Sequence, residues 1–215
     1  MHAPLEVAYK HIQAHLANLE KPVIFELGMC DGYHTNMMLS WAPNATYYGF
    51  EPDPRNAAKI RATNLPERMH FYPDAIGHVS GIIPFNLATP EPNGAVGASS
   101  ISEFTPVLTQ NWSWLRCQGT VNVQCWRLDD FCQMHNIPQI DFIWMDVQGA
   151  ERLVFSGAPI MLSRTQMIWT EYDGGTLYAD SSSIDDIMAR FPNWKVLADC
   201  GGDVLLRNPA FEHTP

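Results

Sequence analysis

The chain has 215 residues, 46% of them hydrophobic and 17% charged, a composition that suits one compact globular domain and excludes intrinsic disorder. Thirteen Lys and Arg against 23 Asp and Glu give a formal charge of -10, which repels phosphate backbones and anionic lipid, so neither nucleic acid nor membrane is an expected partner. The N-terminal stretch lacks a signal-peptide pattern, no segment is apolar for the length of a bilayer, and the scattered Cys30, Cys117, Cys125, Cys132 and Cys200 form no C-x-x-C pair, so a cytoplasmic protein with reduced thiols is expected.

Leu5, Ile12, Leu16 and Leu19 fall at helical spacing and predict an amphipathic helix over 4–20, ending before Pro22. His11 and His15 lie four apart on it; with no third ligand in view they are assigned to a solvated face, and no metal site is expected. VIFEL (23–27) reads as a strand stopped by Gly28, and Gly32 opens a helix to Trp41. TYYGFE (46–51), a helix from Pro54 to Thr63 and MHFY (69–72) continue the alternation, which implies parallel strands with right-handed crossovers. An insertion over 78–128 follows, with strands GIIPFNLA (81–88) and TVNVQCWRL (120–128) flanking a Pro-, Gly- and Ser-containing loop, a candidate lid. The pattern resumes with IDFIWMD (140–146), a helix from Ala150, MIWTE (167–171) and a helix over 184–191. WKVLAD (194–199) and DVLLR (203–207) then flank Cys200-Gly201-Gly202 as a hairpin. The predicted fold is α/β: a doubly wound, mostly parallel seven-stranded sheet with a C-terminal antiparallel hairpin, in a single domain over 1–215.

Glu26-Leu27-Gly28-Met29-Cys30-Asp31-Gly32 joins the first strand to the first helix of the sheet, where backbone can approach a nucleotide-type ligand. Its spacing is G-x-x-x-G rather than G-x-G-x-x-G, so the Met29 and Cys30 side chains are expected to crowd a pyrophosphate, which disfavours dinucleotides. Glu51, 23 positions after Gly28 and stiffened by Pro52 and Pro54, is the expected ribose ligand. Asp74, before Ala75, faces an adenine amino group or simply forms a turn. Glu26 either accepts from an ammonium group or braces the turn. Tyr33 and His34 either contact the same ligand or pack.

Ile140-Asp141-Phe142-Ile143-Trp144-Met145-Asp146-Val147-Gln148-Gly149-Ala150-Glu151, followed by Ser156-Gly157-Ala158, resembles the FkbM family of S-adenosylmethionine-dependent methyltransferases, whose pattern is I-D-x-I-K-x-D-V-E-G-A-E and then L-x-G-A. Glu51-Pro52-Asp53-Pro54, Ala75-Ile76-Gly77, Ser99-Ser100 and Leu128-Asp129 carry the same likeness, which covers roughly 23–175. The resemblance implies a Rossmann-like class I methyltransferase that uses S-adenosyl-L-methionine and modifies a hydroxyl on a sugar or small metabolite. It places Glu26, Gly28, Met29, Cys30, Asp31, Gly32, Glu51, Pro52, Asp74, Ala75 and Asp146 around the cofactor. Gln148 and Trp144 depart from the family Glu and Lys.

Methyl transfer is an in-line displacement that needs alignment and exclusion of water, and a hydroxyl acceptor gains from a base. Asp146, ending the fourth core strand, is the candidate base; Glu171, ending the fifth, shares a proton, orients the acceptor or helps to bind a cation. Ser99, Ser100 and Gln148 are the expected acceptor contacts. Glu151, at a helix start, is as readily explained by the helix dipole. The competing readings are an NAD-dependent oxidoreductase, which needs the missing central glycine, and a catalytically weak S-adenosylmethionine-binding protein that lost its chemistry through Gln148.

Overall fold

Residues 2–211 are described by a computed structural model of the chain. In chain order they form α1 (Leu5–Ala17), β1 (Val23–Leu27), α2 (Tyr33–Trp41), β2 (Thr46–Phe50), α3 (Pro54–Arg61), β3 (Met69–Tyr72), β4 (Ala75–Gly77), β5 (Gly81–Ala88), α4 (Pro106–Asn111), β6 (Cys117–Arg127), α5 (Leu128–Met134), β7 (Ile140–Met145), α6 (Glu151–Ser156), α7 (Pro159–Ser163), β8 (Thr165–Glu171), α8 (Ile184–Arg190), β9 (Lys195–Asp199) and β10 (Asp203–Arg207).

The apolar runs of β1 and β7 are buried on both faces, as central parallel strands require. They pair with each other inside a seven-stranded sheet of order β3-β2-β1-β7-β8-β10-β9, in which only the β8–β10–β9 pairings are antiparallel. Chain order reverses between β1 and β7, so a crevice opens there beyond the carboxyl ends of the strands. A second sheet, β4-β6-β5, is built from the insertion and the residues before it. This is the Rossmann-like α/β architecture expected from the alternating pattern.

Two apolar clusters cover the large sheet. Ile12, Leu16 and Met38 from α1 and α2 pack on Trp144 and Trp169, while Phe131, Val154, Met161 and Ile187 from α5 to α8 pack on Phe25 and Ile143. Alternation along the strands explains the split, since neighbouring residues point to opposite faces. Local chemistry fixes the helix starts: Asp53 accepts from the Arg55 amide ahead of Pro54, and Ser183 with Asp186 forms a capping box at α8.

Several expectations change. His15 is not on a solvated face; it is 7% exposed, and its Nε2 bonds the Asp141 carbonyl at 3.0 Å, joining α1 to the sheet. The loop before β6 is partly helical, because Thr105 caps the short α4. β4, α5 and α7 are additions. Each has seven residues or fewer, too short for a hydrophobic period to register. Among the described residues no helix is long and apolar enough to cross a membrane.

Candidate active site

A cavity of about 360 Å³ lies at the strand-order reversal. Gly28, Cys30, Glu51, Pro52, Asp74, Ala75, Ser99, Asp146 and Gln148 all reach its wall. Gly28 allows the loops after β1 and β7 to touch: at φ +89° an added Cβ would lie 1.9 Å from the Asp146 carbonyl oxygen.

Glu51 is 5% exposed, and its two oxygens accept from the Cys30 amide at 2.7 Å and the Asp53 amide at 2.9 Å. Burial pushes its carboxyl up to about 8, although both amide bonds pull the other way. Each oxygen retains acceptor capacity for a further donor. Asp74 accepts from Trp126 Nε1 at 2.9 Å through one oxygen.

The other predicted residues of this turn do not reach the cavity wall, and Asp31 is exposed. Met29 is 3% exposed and turns into the core against Gly49, so Cys30, and not Met29, presents its side chain to the crevice. Asp31 accepts from the Tyr33 amide at 3.0 Å, and Gly32, at φ +80°, caps α2. Glu26 is fully buried; one of its oxygens accepts from Thr35 and Tyr47, and the other has no partner. Burial raises its carboxyl to about 8.

Beside the cavity runs a row of carboxylates. Trp144 and Trp169 are register partners in β7 and β8, and Glu171 is paired with Asp203 in β10. Because every second residue shares a face, Asp146 and Glu171 lie one step beyond the two tryptophans on that face. Burial first, and then the charges of Asp146, Glu151 and Asp203, hold the Glu171 carboxyl well above the ordinary range. Asp203 is raised to about 6 by burial and by Asp146. Gln148 donates from Nε2 to Asp146 Oδ1 at 2.6 Å and to Glu171 Oε2 at 3.2 Å. Glu151 is buried behind them, accepts from the Val147 amide at 3.3 Å and is pushed up to about 8 by burial.

A model of the methyltransferase FkbM domain matches residues 26–201. This chain belongs to the FkbM methyltransferase family. The 2-O-methyltransferase NoeI of Sinorhizobium fredii is 36% identical over 203 residues, covering 88% of this chain and 82% of the relative. The architecture is therefore a Rossmann-like methyltransferase fold, and the oxidoreductase reading is not favoured.

In this FkbM methyltransferase the segment 96–99 forms a cover along the cavity wall and, with Ser100, is tied down along its length. The Val96 carbonyl accepts from Asn56 Nδ2 at 2.7 Å, the Ala98 carbonyl from the Tyr178 hydroxyl at 3.0 Å, and Ser100 pairs through its backbone with Asn86. Ser99 Oγ donates to Asp53 Oδ2 at 2.7 Å and accepts from the Ala88 amide at 3.0 Å, while Arg55 donates to both Asp53 and Ser99. Ser100 is 1% exposed, accepts from the Ser102 amide at 2.9 Å and lies outside the cavity wall. Both serine hydroxyls thus have structural partners. Trp144, in place of the family Lys, is 2% exposed and stacks on Trp169 at 5.3 Å and against His34 at 4.3 Å.

Sequence reasoning passed over Asn56, Asp53 and Tyr178. Asp53 stands next to Glu51 before a helix-opening proline, a capping signal that could have been read. Tyr178 lies in an irregular segment with no periodicity to mark it.

Proposed function

We propose that this chain is an S-adenosylmethionine-dependent O-methyltransferase whose acceptor is a hydroxyl on a sugar or small metabolite. The observation that carries the reading is the covered cavity at the strand-order reversal, with Glu51 held in its wall by two backbone amides and Asp146 in the same wall, joined through Gln148 to Glu171 behind it. The cavity fits the donor: Glu51 retains lone pairs for ribose hydroxyls, Asp74 has an oxygen for an adenine amino group, and Gly28 brings backbone close. The 2-O-methyltransferase name of the relative supports oxygen as the methylated atom.

When bound, the donor supplies a sulfonium methyl group. The chain's own residues align the acceptor and keep water out. The covering segment and the cavity wall exclude solvent. Asp146 is the candidate base, accepting the proton of the reacting hydroxyl, and Glu171, whose carboxyl is held well above the ordinary range by burial and by the neighbouring carboxylates, orients the acceptor oxygen. Such a base contributes about 10²–10⁴-fold. Gln148, as a neutral amide, bridges the two carboxyl groups where a third carboxylate would repel them.

The test is calorimetric titration with S-adenosylhomocysteine, with NAD as control and Glu51→Ala as the specificity check. Micromolar binding that the substitution weakens at least tenfold, roughly the loss of one hydrogen bond, is expected. No binding, or preference for NAD, sinks the reading. Binding without methyl transfer to any acceptor would favour the catalytically weak alternative.

A further inference from the structure

The Gln148 side chain joins three parts of the molecule. Besides its two bonds to Asp146 and Glu171, its Oε1 accepts from the Tyr178 hydroxyl at 3.1 Å. Asp146 offers acceptor atoms, so the carboxamide nitrogen faces it and Oε1 is left to the tyrosine. The Tyr178 hydroxyl also lies 3.0 Å from the Ala98 carbonyl of the covering segment, and its single proton is shared between these two acceptors.

Gln148 has φ +54°, a left-handed conformation that costs a non-glycine residue of order 1–3 kcal/mol and persists only where the surroundings over-determine it. Tyr178 supplies that constraint. It is 4% exposed, its backbone bridges to Phe104, and its ring packs so tightly over Gly149 that a Cβ there would lie 2.4 Å from the Tyr178 Cβ. Without the hydroxyl, the Gln148 carboxamide keeps its donors near two carboxyl groups but loses the contact that sets its angle.

We infer that Tyr178 is a positioning residue for methyl transfer: its hydroxyl fixes Gln148, and through Gln148 the relative placement of Asp146 and Glu171. This rests on the methyltransferase reading above. Misplacing reacting groups by a fraction of an ångström is enough to slow a reaction that depends on alignment.

The experiment is a double-mutant cycle with Tyr178→Phe, Gln148→Leu and the pair, following S-adenosylmethionine-dependent methylation of a panel of methyl hexosides. Each single substitution is expected to lower kcat about tenfold with the KM for S-adenosylmethionine within about threefold, and the double variant to fall no further than about twentyfold. Losses that multiply to about a hundredfold, or an unaltered kcat in Tyr178→Phe, would overturn the inference. S-adenosylhomocysteine affinity is the check on folding: it should stay within about threefold in all variants, and a loss that parallels kcat also overturns the assignment. A wild-type protein that binds S-adenosylhomocysteine but methylates no hexoside overturns the sugar-hydroxyl reading and this inference together, whereas an active wild type with multiplying losses overturns the inference alone.

Discussion

Gly28 and Glu51 were legible because each is fixed by its place on a strand end. A turn after an apolar run needs a residue tolerant of positive φ, and the acidic residue after the next strand follows at nearly constant spacing. Tyr178 and Asn56 were not, because they reach the cavity through tertiary packing that no local pattern encodes. Gly28 also makes a sharp prediction. Gly28→Ala adds a methyl group where the Asp146 carbonyl oxygen already lies 1.9 Å away, at a φ of +89° that L residues resist. The two loops must separate, at a cost of about 2–4 kcal/mol in urea denaturation by analogy with overpacked, strained sites. S-adenosylhomocysteine binding should fall with it. Unchanged stability would mean that the β1 and β7 loops part freely.

Among the elements, the parallel strands and both strands of the insertion were readable, β5 to the residue, while β4, α5, α7 and the course of the covering segment were not. β1, β7 and β8 announce themselves as apolar runs because both of their faces are covered. The insertion forms a small sheet with β4, in which the start of β6 meets solvent while β4 is buried, and its covering segment has no regular structure to betray it. What holds that segment is side-chain chemistry, above all Ser99 between Asp53, Arg55 and the Ala88 amide. A hydrogen bond to a charged partner contributes roughly 1.5–3 kcal/mol, less where solvent reaches it. Ser99→Ala should therefore loosen the cover without unfolding the sheet. Amide hydrogen exchange over 95–101 should speed up at least tenfold, and S-adenosylhomocysteine should bind about five- to tenfold more weakly, one hydrogen bond's worth. Equal exchange in variant and wild type would show that the ties at Val96, Ala98 and Ser100 suffice.

The whole molecule carries a formal charge of -10, yet several of its carboxyl groups are buried together at one end of the sheet. Burial pushes Glu26, Glu51 and Glu151 up to about 8 and Asp203 to about 6, and holds Glu171 well above the ordinary range. A carboxyl raised on folding holds a proton that the unfolded chain has already lost, so the stability it contributes is complete below its unfolded pKa and is lost as pH rises through its folded pKa. His15 and His34, both lowered by burial, act in the opposite sense, but only below the ordinary histidine value of about 6.5. The window from about pH 6.5 to 8 therefore belongs to the carboxyl groups alone. One net proton across it corresponds to about 2 kcal/mol, so urea stability should drop by at least that much over this range. At lower pH, Asp53, whose carboxyl is held down through Arg55 and Ser99 against its burial, reverses the trend. A flat profile between 6.5 and 8 would mean that these groups ionise inside the fold.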